Sequence, residues 1–536
     1  MIIKPGIDIV GTDDELPQWA LDAAAGARWG TPDHPVTPYA HQVRQLAELW
    51  SAPSWGLFAE QGCGKSAPTA VRIRDGFASG DLNGPVLILC PLSVVSVWTG
   101  SDGELMRHAG VGSIAVVGDA KQRSNALKQL DFVNGIGGRN GGPAICVTNY
   151  ETLIGRTFAE LAKIRWSAVV CDEAHRIAGV RTRTHRALMK LSWYSLKDHL
   201  PRILHRWALT GTPARNGPTS IFGIGVFLRG TQAFGTFSKT AFESRYAVFG
   251  GFENREIVAY RNVPELNAKV RRFSSRILKE DCLDLPERIV TVRRVPLAGE
   301  QARVYKDMRT HAVARLQTIK NETGTVTASN VLVERLRLLQ IAGGWVHCDK
   351  EVIRENTLKF TYVDMATGNE DGMDADLVPN AKLDLLTEIL ADCPKPVVVW
   401  SPFVHGVKMI CRALGLADPQ LTIAEFIGDT PQKHRERIIA EFQAGKIDVI
   451  VATPQAGGTG ITLTAAATEI FYCKTDDAVS HWQAMERVHR IGQEKHVLQI
   501  HLLAQGTVDV KVHAALEEKR TLQEQTVGAG TVEDML

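Results

Sequence analysis

Short apolar runs rich in β-branched residues punctuate the chain, and helical stretches fill the intervals between them. In the first part the runs read "GLFA", "VLILC", "SIAVV", "AICVTN", "AVVCDE" and "RWALTGTP"; a second series reads "PVVVWS", "LTIAEFIG", "VIVATP", "EIFYCK" and "VLQIHLL". Apolar strands alternating with helices are the pattern of parallel sheets covered on both faces. Two series therefore predict two α/β lobes. The stretch between them, from about Ser220 to Asn380, differs in character. It holds a basic segment predicted helical, "NAKVRRFSSRILKE", an amphipathic helix at "LAGEQARVYKDMRTHAVARLQTI" and a polar break at "KNETGTVTASN". The run "ATGNEDGMDAD" supplies turn residues and predicts a loop or hairpin tip. No solenoid repeat and no low-complexity tract interrupts this plan.

Composition narrows the class of protein. At roughly 100–200 residues per domain, a chain of 536 residues holds more than one core. Its 61 Lys and Arg against 59 Asp and Glu leave a net charge of +2, so any nucleic-acid site must be a local patch. The opening "MIIKPGIDIVGTDDELPQW" places acids where a signal peptide needs an apolar core. No apolar run approaches the roughly 20 residues that cross a bilayer, and the expectation is a soluble, cytoplasmic protein. Nine cysteines are scattered without a CxxC pair, several of them inside apolar strand-like runs. They read as small buried hydrophobes in a reducing compartment, and "WVHCD" lacks the partners of a metal site.

Chemistry enters at the ends of the apolar runs. After "WGLFA", the segment "AEQGCGKS" has the spacing of a phosphate loop with Ala59 in the first glycine position. Gly62 and Gly64 let backbone N–H groups approach phosphate oxygens, Lys65 reaches the β/γ-phosphates, and Ser66 offers a hydroxyl to Mg²⁺. A buried strand end is a costly place for carboxylates unless they are paired or bind metal. At "VVCDEAH" two stand together: either they cap the helix that follows, or Asp172 is the Mg²⁺ partner and Glu173 the residue that orients and deprotonates the attacking water. "ALTGTP" ends another apolar strand; its hydroxyls either relay the state of the γ-phosphate or form a plain turn.

These three segments, in this order, resemble motifs I, II and III of superfamily 2 helicase-type ATPases, and further landmarks resemble the Snf2 family. "TPYAHQ" is similar to the adenine-reading element, which implies that Tyr39 and Gln42 lie near the base. "CPLSVVSVW" resembles motif Ia, with Ser93 and Trp98 in register, and "TNYETL" resembles the motif that usually reads Thr-Tyr-Glu. "ATPQAGGTGITLTAA" resembles motif V and "QAMERVHRIGQ" matches motif VI over nearly its whole length. The resemblance runs from about Thr37 to about Lys519.

The resemblance implies two tandem RecA-like lobes with helical insertions between them, binding ATP and Mg²⁺. It divides the chain into an N-terminal extension (1–30), a first lobe (31–290) with a helical protrusion near 220–280, a linker and second protrusion (291–380), and a second lobe (381–536) that ends in a helix. Gln483, Arg487 and Arg490 stand at helical spacings and are expected to share one helix face. Placed opposite the phosphate loop, the two arginines would act as fingers, an effect of roughly 10³–10⁵ in rate in other phosphate-loop enzymes. Gly460 joins the ATP-binding set. The implied partner is double-stranded DNA, held by its backbone through Ser93, Arg435, Thr453 and Thr459, with weak sequence preference. "VRTRTHR" and "KVRRFSSR" are either DNA-facing patches or solvated basic surface.

Motif I departs from the family's usual Asp-Glu-Met-Gly-Leu-Gly-Lys-Thr, reading Ala59-Glu60-Gln61-Gly62-Cys63-Gly64-Lys65-Ser66 but keeping the lysine and a hydroxyl, and the other departures fall in the coupling segments. Ala178-Gly179 replaces the Lys-Asn that usually follows the DEAH motif, Thr462 replaces an Asn, and "CKTDDAVSHW" replaces Asp-Pro-x-Trp-Asn-Pro. The expected activity is ATP hydrolysis coupled to translocation along duplex DNA. The alternatives are a strand-separating helicase on DNA or RNA, and a DNA-binding scaffold with an idle nucleotide site.

Overall fold

Strand runs apolar at every position must bury both faces, and alternate side chains of such a strand feed different cores. The computed structural model follows this rule in two compact units, residues 1–284 with 519–536 and residues 285–518. It describes residues 16–140, 144–196, 200–214, 217–250, 256–282, 285–323, 328–349, 372–376, 380–457 and 461–527.

In chain order the strands of the first unit are β1 (Ser54–Ala59), β2 (Val86–Cys90), β3 (Ile114–Ala115), β4 (Ile145–Asn149), β5 (Ala168–Asp172), β6 (Trp193–Ser195), β7 (Leu200–Pro201), β8 (His205–Leu209), β9 (Ala247–Gly250), β10 (Glu256–Tyr260) and β11 (Ser274–Ile277). Among the described residues, seven of them form one sheet in the order β11-β1-β8-β5-β2-β4-β3. All its pairings are parallel. Phe58, Leu87 and Leu89 point into one core with the helix Ile221–Arg229, whereas Leu57, Val86 and Ile88 point into the other with the helix Ser66–Ser79. Full burial of one such side chain is worth about 1.5–3 kcal/mol, so the alternation fixes the sheet between its two helical layers.

The second unit contains β12 (Arg288–Pro296), β13 (Trp345–Asp349), β14 (Gly372–Asp376), β15 (Val397–Trp400), β16 (Ile423–Phe426), β17 (Val449–Ala452), β18 (Thr468–Phe471) and β19 (Val497–Gln505). Its sheet, again of parallel pairs, runs β12-β19-β18-β15-β17-β16 among the described residues. Val398 and Trp400 feed one core, Val397 and Val399 the other. The fold class is therefore the expected pair of helix-covered parallel sheets.

Several boundaries differ from the sequence expectation. The basic segment read as one helix is helical only to Arg271 and then becomes β11, which pairs with Gly56–Ala59 of β1 and is buried throughout. Tertiary pairing overrides the local pattern there. Residues 220–280 do not all protrude, because the helix Ile221–Arg229 is apolar on every side and buried along Ile221–Leu228. The segment that spans the expected boundary of first lobe and linker at 290/291 is instead a strand, β12, which pairs along its whole length with β19 and belongs to the second unit. Within residues 1–30, the helix Gln18–Ala25 is part of a core: Ala20, Ala24 and Trp29 pack with Leu46, Ala47 and Val71. The C-terminal helix Val508–Val527 packs Val512 and Leu516 into the core of the second unit.

Candidate active site

β1 ends at Ala59, and the chain turns through the phosphate-loop sequence into the helix Ser66–Ser79. Gly62 and Gly64 have φ of 88° and 72°, values that L side chains rarely adopt. A Cβ on Gly64 would also come within 2.3 Å of Gln42 Nε2. The loop is gripped from outside by the N-terminus of the helix Ala40–Ser51. Gln42 Oε1 accepts from Tyr39 N at 3.0 Å while Gln42 Nε2 donates to Gly64 O at 3.3 Å. His41 Nε2 donates to Cys63 O at 2.8 Å, and its ring stacks on Tyr39 with centroids 5.6 Å apart. The element expected to read adenine thus also fixes the loop that follows β1.

Lys65 Nζ donates to Ala59 O and Glu60 O at 2.8 and 3.1 Å, which spans the loop from within. Glu60 is anchored in turn by Lys279 N at 3.0 Å and by Arg276, whose Nη2 lies 3.6 Å from Glu60 Oε1. Burial works to raise the Glu60 pKa, but the charges of Arg276 and Lys279, with the Lys279 N–H bond, hold it below the ordinary value. Arg276 Nη1 also donates to Phe58 O and Gly211 O, both at 3.0 Å, which ties β1 to the Thr-Gly-Thr turn after β8. Ser66 lies at the head of its helix and hydrogen-bonds Glu104.

The acid pair stands at the end of β5. Asp172 accepts from Trp98 Nε1 and from Glu173 N, both at 2.9 Å, and its carbonyl accepts from Tyr150 OH at 2.7 Å. Burial and the neighbouring Glu173 push the Asp172 carboxyl up to about 6, against the pull of the Trp98 indole and Lys65. A buried carboxyl of this kind suits a divalent cation, which would restore the charged form. Glu173 adopts a left-handed backbone (φ 51°, ψ 50°), an uncommon conformation for a residue other than glycine. His175 Nδ1 sits 3.3 Å from Glu173 Oε2 and 3.4 Å from Thr212 Oγ1, and Thr210 Oγ1 accepts from Thr212 N at 3.1 Å. The turn after β8 is thus wired to the acid pair through one imidazole.

Lys65, Ser66, Asp172 and Glu173 consequently sit at the carboxyl ends of β1 and β5, with β8 between them, the end at which open α/β sheets bind ligands. ATP and Mg²⁺ fit this donor set: two glycines at positive φ, a lysine, a hydroxyl and a buried carboxylate. Sequence reasoning missed Arg276, His41 and His175 as parts of the site. Arg276 belongs in sequence to the basic run "KVRRFSSR", yet it is buried, 7% exposed, beneath the loop it supports. The remaining basic cluster, "VRTRTHR", does present Arg181, Arg183 and Arg186 to solvent. Ser93 is exposed in the short helix Leu92–Val94.

In the second unit the helix that carries Gln483 spans Ala478–Met485 and stops there. Arg487 and Arg490 therefore lie in the turns that follow, not on a continuing helix face. Arg487 is buried; its Nε donates to Gln483 O at 3.0 Å and its Nη1 reaches Ile461 O at 3.4 Å. Arg490 Nη1 donates to the same Ile461 O at 2.9 Å. Gln493 closes the arrangement by donating to Thr464 O, Ala466 O and Val488 O. Thr453 is buried at the head of the short helix Pro454–Gly457. Arg435 caps a loop, donating to Thr430 O, Ile427 O and Gly428 O at 2.8–2.9 Å. Thr459 and Gly460 lie outside the described residues.

Residues 36–342 match the SNF2-related domain and residues 381–492 the helicase conserved C-terminal domain. The chain is similar to the putative ATP-dependent helicase/translocase YwqA of Bacillus subtilis, 26% identical over 514 residues, covering 92% of this chain and 50% of YwqA. It is also similar to the SWI/SNF chromatin-remodeling complex subunit snf22 of Schizosaccharomyces pombe, 25% identical over 492 residues, covering 89% of this chain and 27% of snf22. The chain thus spans about half the length of the one relative and about a quarter of the other. Among solved structures, the Sulfolobus solfataricus SWI2/SNF2 ATPase core in complex with dsDNA is 23% identical, covering 92% of this chain and 94% of that one, at a TM-score of 0.39. Since the first of the two domain matches alone takes in more than half of its residues, the chain belongs to the SNF2-related family.

Proposed function

We propose that the chain is an ATP-hydrolysing motor that translocates along double-stranded DNA. The observation that carries this reading is the hydrogen-bonded wiring of the phosphate loop, the acid pair and the Thr-Gly-Thr turn within one unit. A scaffold with an idle nucleotide site has no use for such an arrangement. Family membership and the helicase/translocase name of the relative YwqA support the motor reading, and the resemblance of the motifs to Snf2 proteins supports duplex DNA as its track.

In this mechanism Gln42 and Tyr39 meet the base, and the loop N–H groups with Lys65 bind the phosphates. Ser66 and Asp172 would hold Mg²⁺, which supplies positive charge to the phosphate oxygens. Glu173 orients the attacking water and takes its proton, with His175 restraining the carboxylate. Thr210 and Thr212 report the phosphate state to the rest of the unit. Arg487 and Arg490 neutralise charge on the transferring phosphoryl group. Ser93, with Thr453 and Thr459, contacts the DNA backbone.

The test is ATP hydrolysis with Mg²⁺, alone and with duplex DNA, single-stranded DNA or RNA. Duplex should stimulate turnover, and Glu173→Gln should lower it by about 10²–10⁴ while retaining nucleotide binding. Stimulation by single strands or RNA alone would overturn the duplex assignment. An absence of turnover with nucleotide bound would favour the scaffold.

A further inference from the structure

The phosphate loop carries a cysteine between its two positive-φ glycines, and a second cysteine faces it. Cys282 Sγ lies 3.9 Å from Cys63 Sγ, although the two residues are 219 positions apart in the chain. Both are buried, at 0% and 6% exposure. Cys282 ends the short helix Lys279–Cys282, whose first residue anchors Glu60 of the loop, and the second unit begins three residues later at Leu285. We propose that Cys63 and Cys282 are a redox pair whose disulfide locks the phosphate loop and shuts off nucleotide binding. The proposal rests on the nucleotide site described above and adds its regulation.

The sulfurs need to approach by about 1.9 Å to reach bonding distance. The loop can supply that movement, because glycines flank Cys63 on both sides. The electrostatic setting also separates Cys63 from the other thiols. Burial pushes Cys90, Cys146, Cys171, Cys411 and Cys473 well up, out of the thiolate range. Cys63 shifts the other way, through the Cys282 contact and the charges of Lys279 and Lys65, against burial and Glu60. The oxidant is a peroxide. One thiolate attacks a peroxide oxygen, breaking the O–O bond to give a sulfenic acid and hydroxide; the second thiolate attacks the sulfenic sulfur, displacing a second hydroxide and forming the S–S bond, and the two protons released by the thiols turn both hydroxides into water. The two sulfurs together lose two electrons and two protons, and hydrogen peroxide takes up both to become two waters. A dithiol reductant reverses the step by thiol–disulfide exchange.

The consequence follows from what Cys63 does when reduced. Its carbonyl is held by His41, and its neighbours supply the backbone that cradles phosphate. Tethering its side chain to Cys282 fixes the loop in a geometry set by the disulfide and not by the nucleotide.

The full chain, fully reduced, is exposed to hydrogen peroxide, alkylated, and digested without reductant for peptide mass spectrometry. Binding of a fluorescent ATP analogue and ATP hydrolysis are followed in parallel. The expected results are a Cys63–Cys282 linked peptide, a loss of analogue affinity of about tenfold or more, and recovery of both with dithiothreitol. Bound Mg-ATP should slow the linkage. Cys282→Ser should hydrolyse ATP like the reduced parent and keep that activity under peroxide, with Cys282→Val as the substitute if the serine variant does not fold. An absent linked peptide, a linked protein that still binds the analogue, or a Cys282 variant inactivated as fast as the parent would each overturn the switch. If the reduced protein does not turn over ATP, the motor reading falls, while linkage and analogue binding still decide the switch.

Discussion

The two sheets carry their motifs in different ways. In the first unit the site is assembled from parts far apart in sequence: Gln42 and His41 grip the loop from one helix, Arg276 braces it from β11, and Trp98 and Tyr150 hold Asp172. In the second unit Arg487 and Arg490 converge on one carbonyl, Ile461 O, and Gln493 bonds to Thr464 O, Ala466 O and Val488 O, while Glu486 and His489 bond to Arg288 and Pro286. The first arrangement fixes the proposed nucleotide cradle through tertiary contacts. The second fixes a turn that presents two guanidiniums as one local piece. Disturbing the first should therefore cost stability and nucleotide binding together, while disturbing the second should cost rate more than fold.

The largest effect tests that contrast directly. Arg490→Ala should lower DNA-stimulated hydrolysis by roughly 10³ with the melting temperature nearly unchanged. Arg487→Ala should lose a similar factor and also melt earlier, because Arg487 is buried and bonded to two carbonyls. Steady-state kinetics and thermal unfolding of both variants read this out. Turnover of Arg490→Ala within tenfold of the parent would remove the second unit from the proposed chemistry.

Next in size is Arg276→Met. It removes the donors to the carbonyls Phe58 O and Gly211 O and leaves Glu60 without that cation. A loss of about 3 kcal/mol in urea unfolding is expected, with weaker ATP-analogue binding. An unchanged affinity would mean that the brace serves the fold alone.

A smaller effect comes from Glu48, which lies on the helix that bears Gln42 and His41. Its carboxylate accepts from Ser275 Oγ of β11 at 2.5 Å and from Trp55 Nε1 of β1 at 3.2 Å. Burial pushes its pKa up to about 7, against the pull of Ser275, Arg44 and Trp55. The folded protein therefore holds a proton that the unfolded chain releases near 4.5. The corresponding stability is fully present below about 4.5 and is lost as pH rises toward about 7. Glu48→Gln should flatten this decline and gain about 2 kcal/mol over the parent at pH 8, read as the difference between their unfolding curves. A pH dependence identical to the parent would show that Glu48 is not the titrating tie.

What the sequence made legible follows the same division. Strands such as "VLILC" and "PVVVWS" announce themselves because burial on both faces leaves no room for polar residues, and all eleven runs form strands. β11 and β12 did not announce themselves. β11 is "SSRI", in which two serines and an arginine are buried only because each finds a partner: Ser274 donates to Val270 O of the preceding helix, Ser275 to Glu48, and Arg276 to Phe58 O and Gly211 O. β12, "RIVTVRRVP", is a sheet edge with much of its length exposed, so its composition looks like a linker. The motif residues were legible by spacing. Their supports were not, since Arg276, His41 and His175 act through carbonyls and carboxylates that only the fold brings near. The helix expected to align Gln483, Arg487 and Arg490 ends at Met485, because the turn after it bonds back to residues 461–466.

Arg435 gives the smallest expected effect and the sharpest comparison of pattern with geometry. Its place before motif V suggests a DNA-backbone contact, yet its guanidinium caps three carbonyls of the loop 427–430 and lies over the Phe426 ring at 5.4 Å. A guanidinium so engaged shapes the loop and has little left for phosphate. Arg435→Gln should therefore cost about 1 kcal/mol of stability and leave the slope of log affinity against log salt for duplex DNA unchanged. Were Arg435 a phosphate contact, the slope would fall by about 0.9 and binding would weaken alike on every sequence. Titrating parent and variant with one duplex at several salt concentrations separates the two, because a loop cap changes the protein's melting while a phosphate contact changes the number of counterions released.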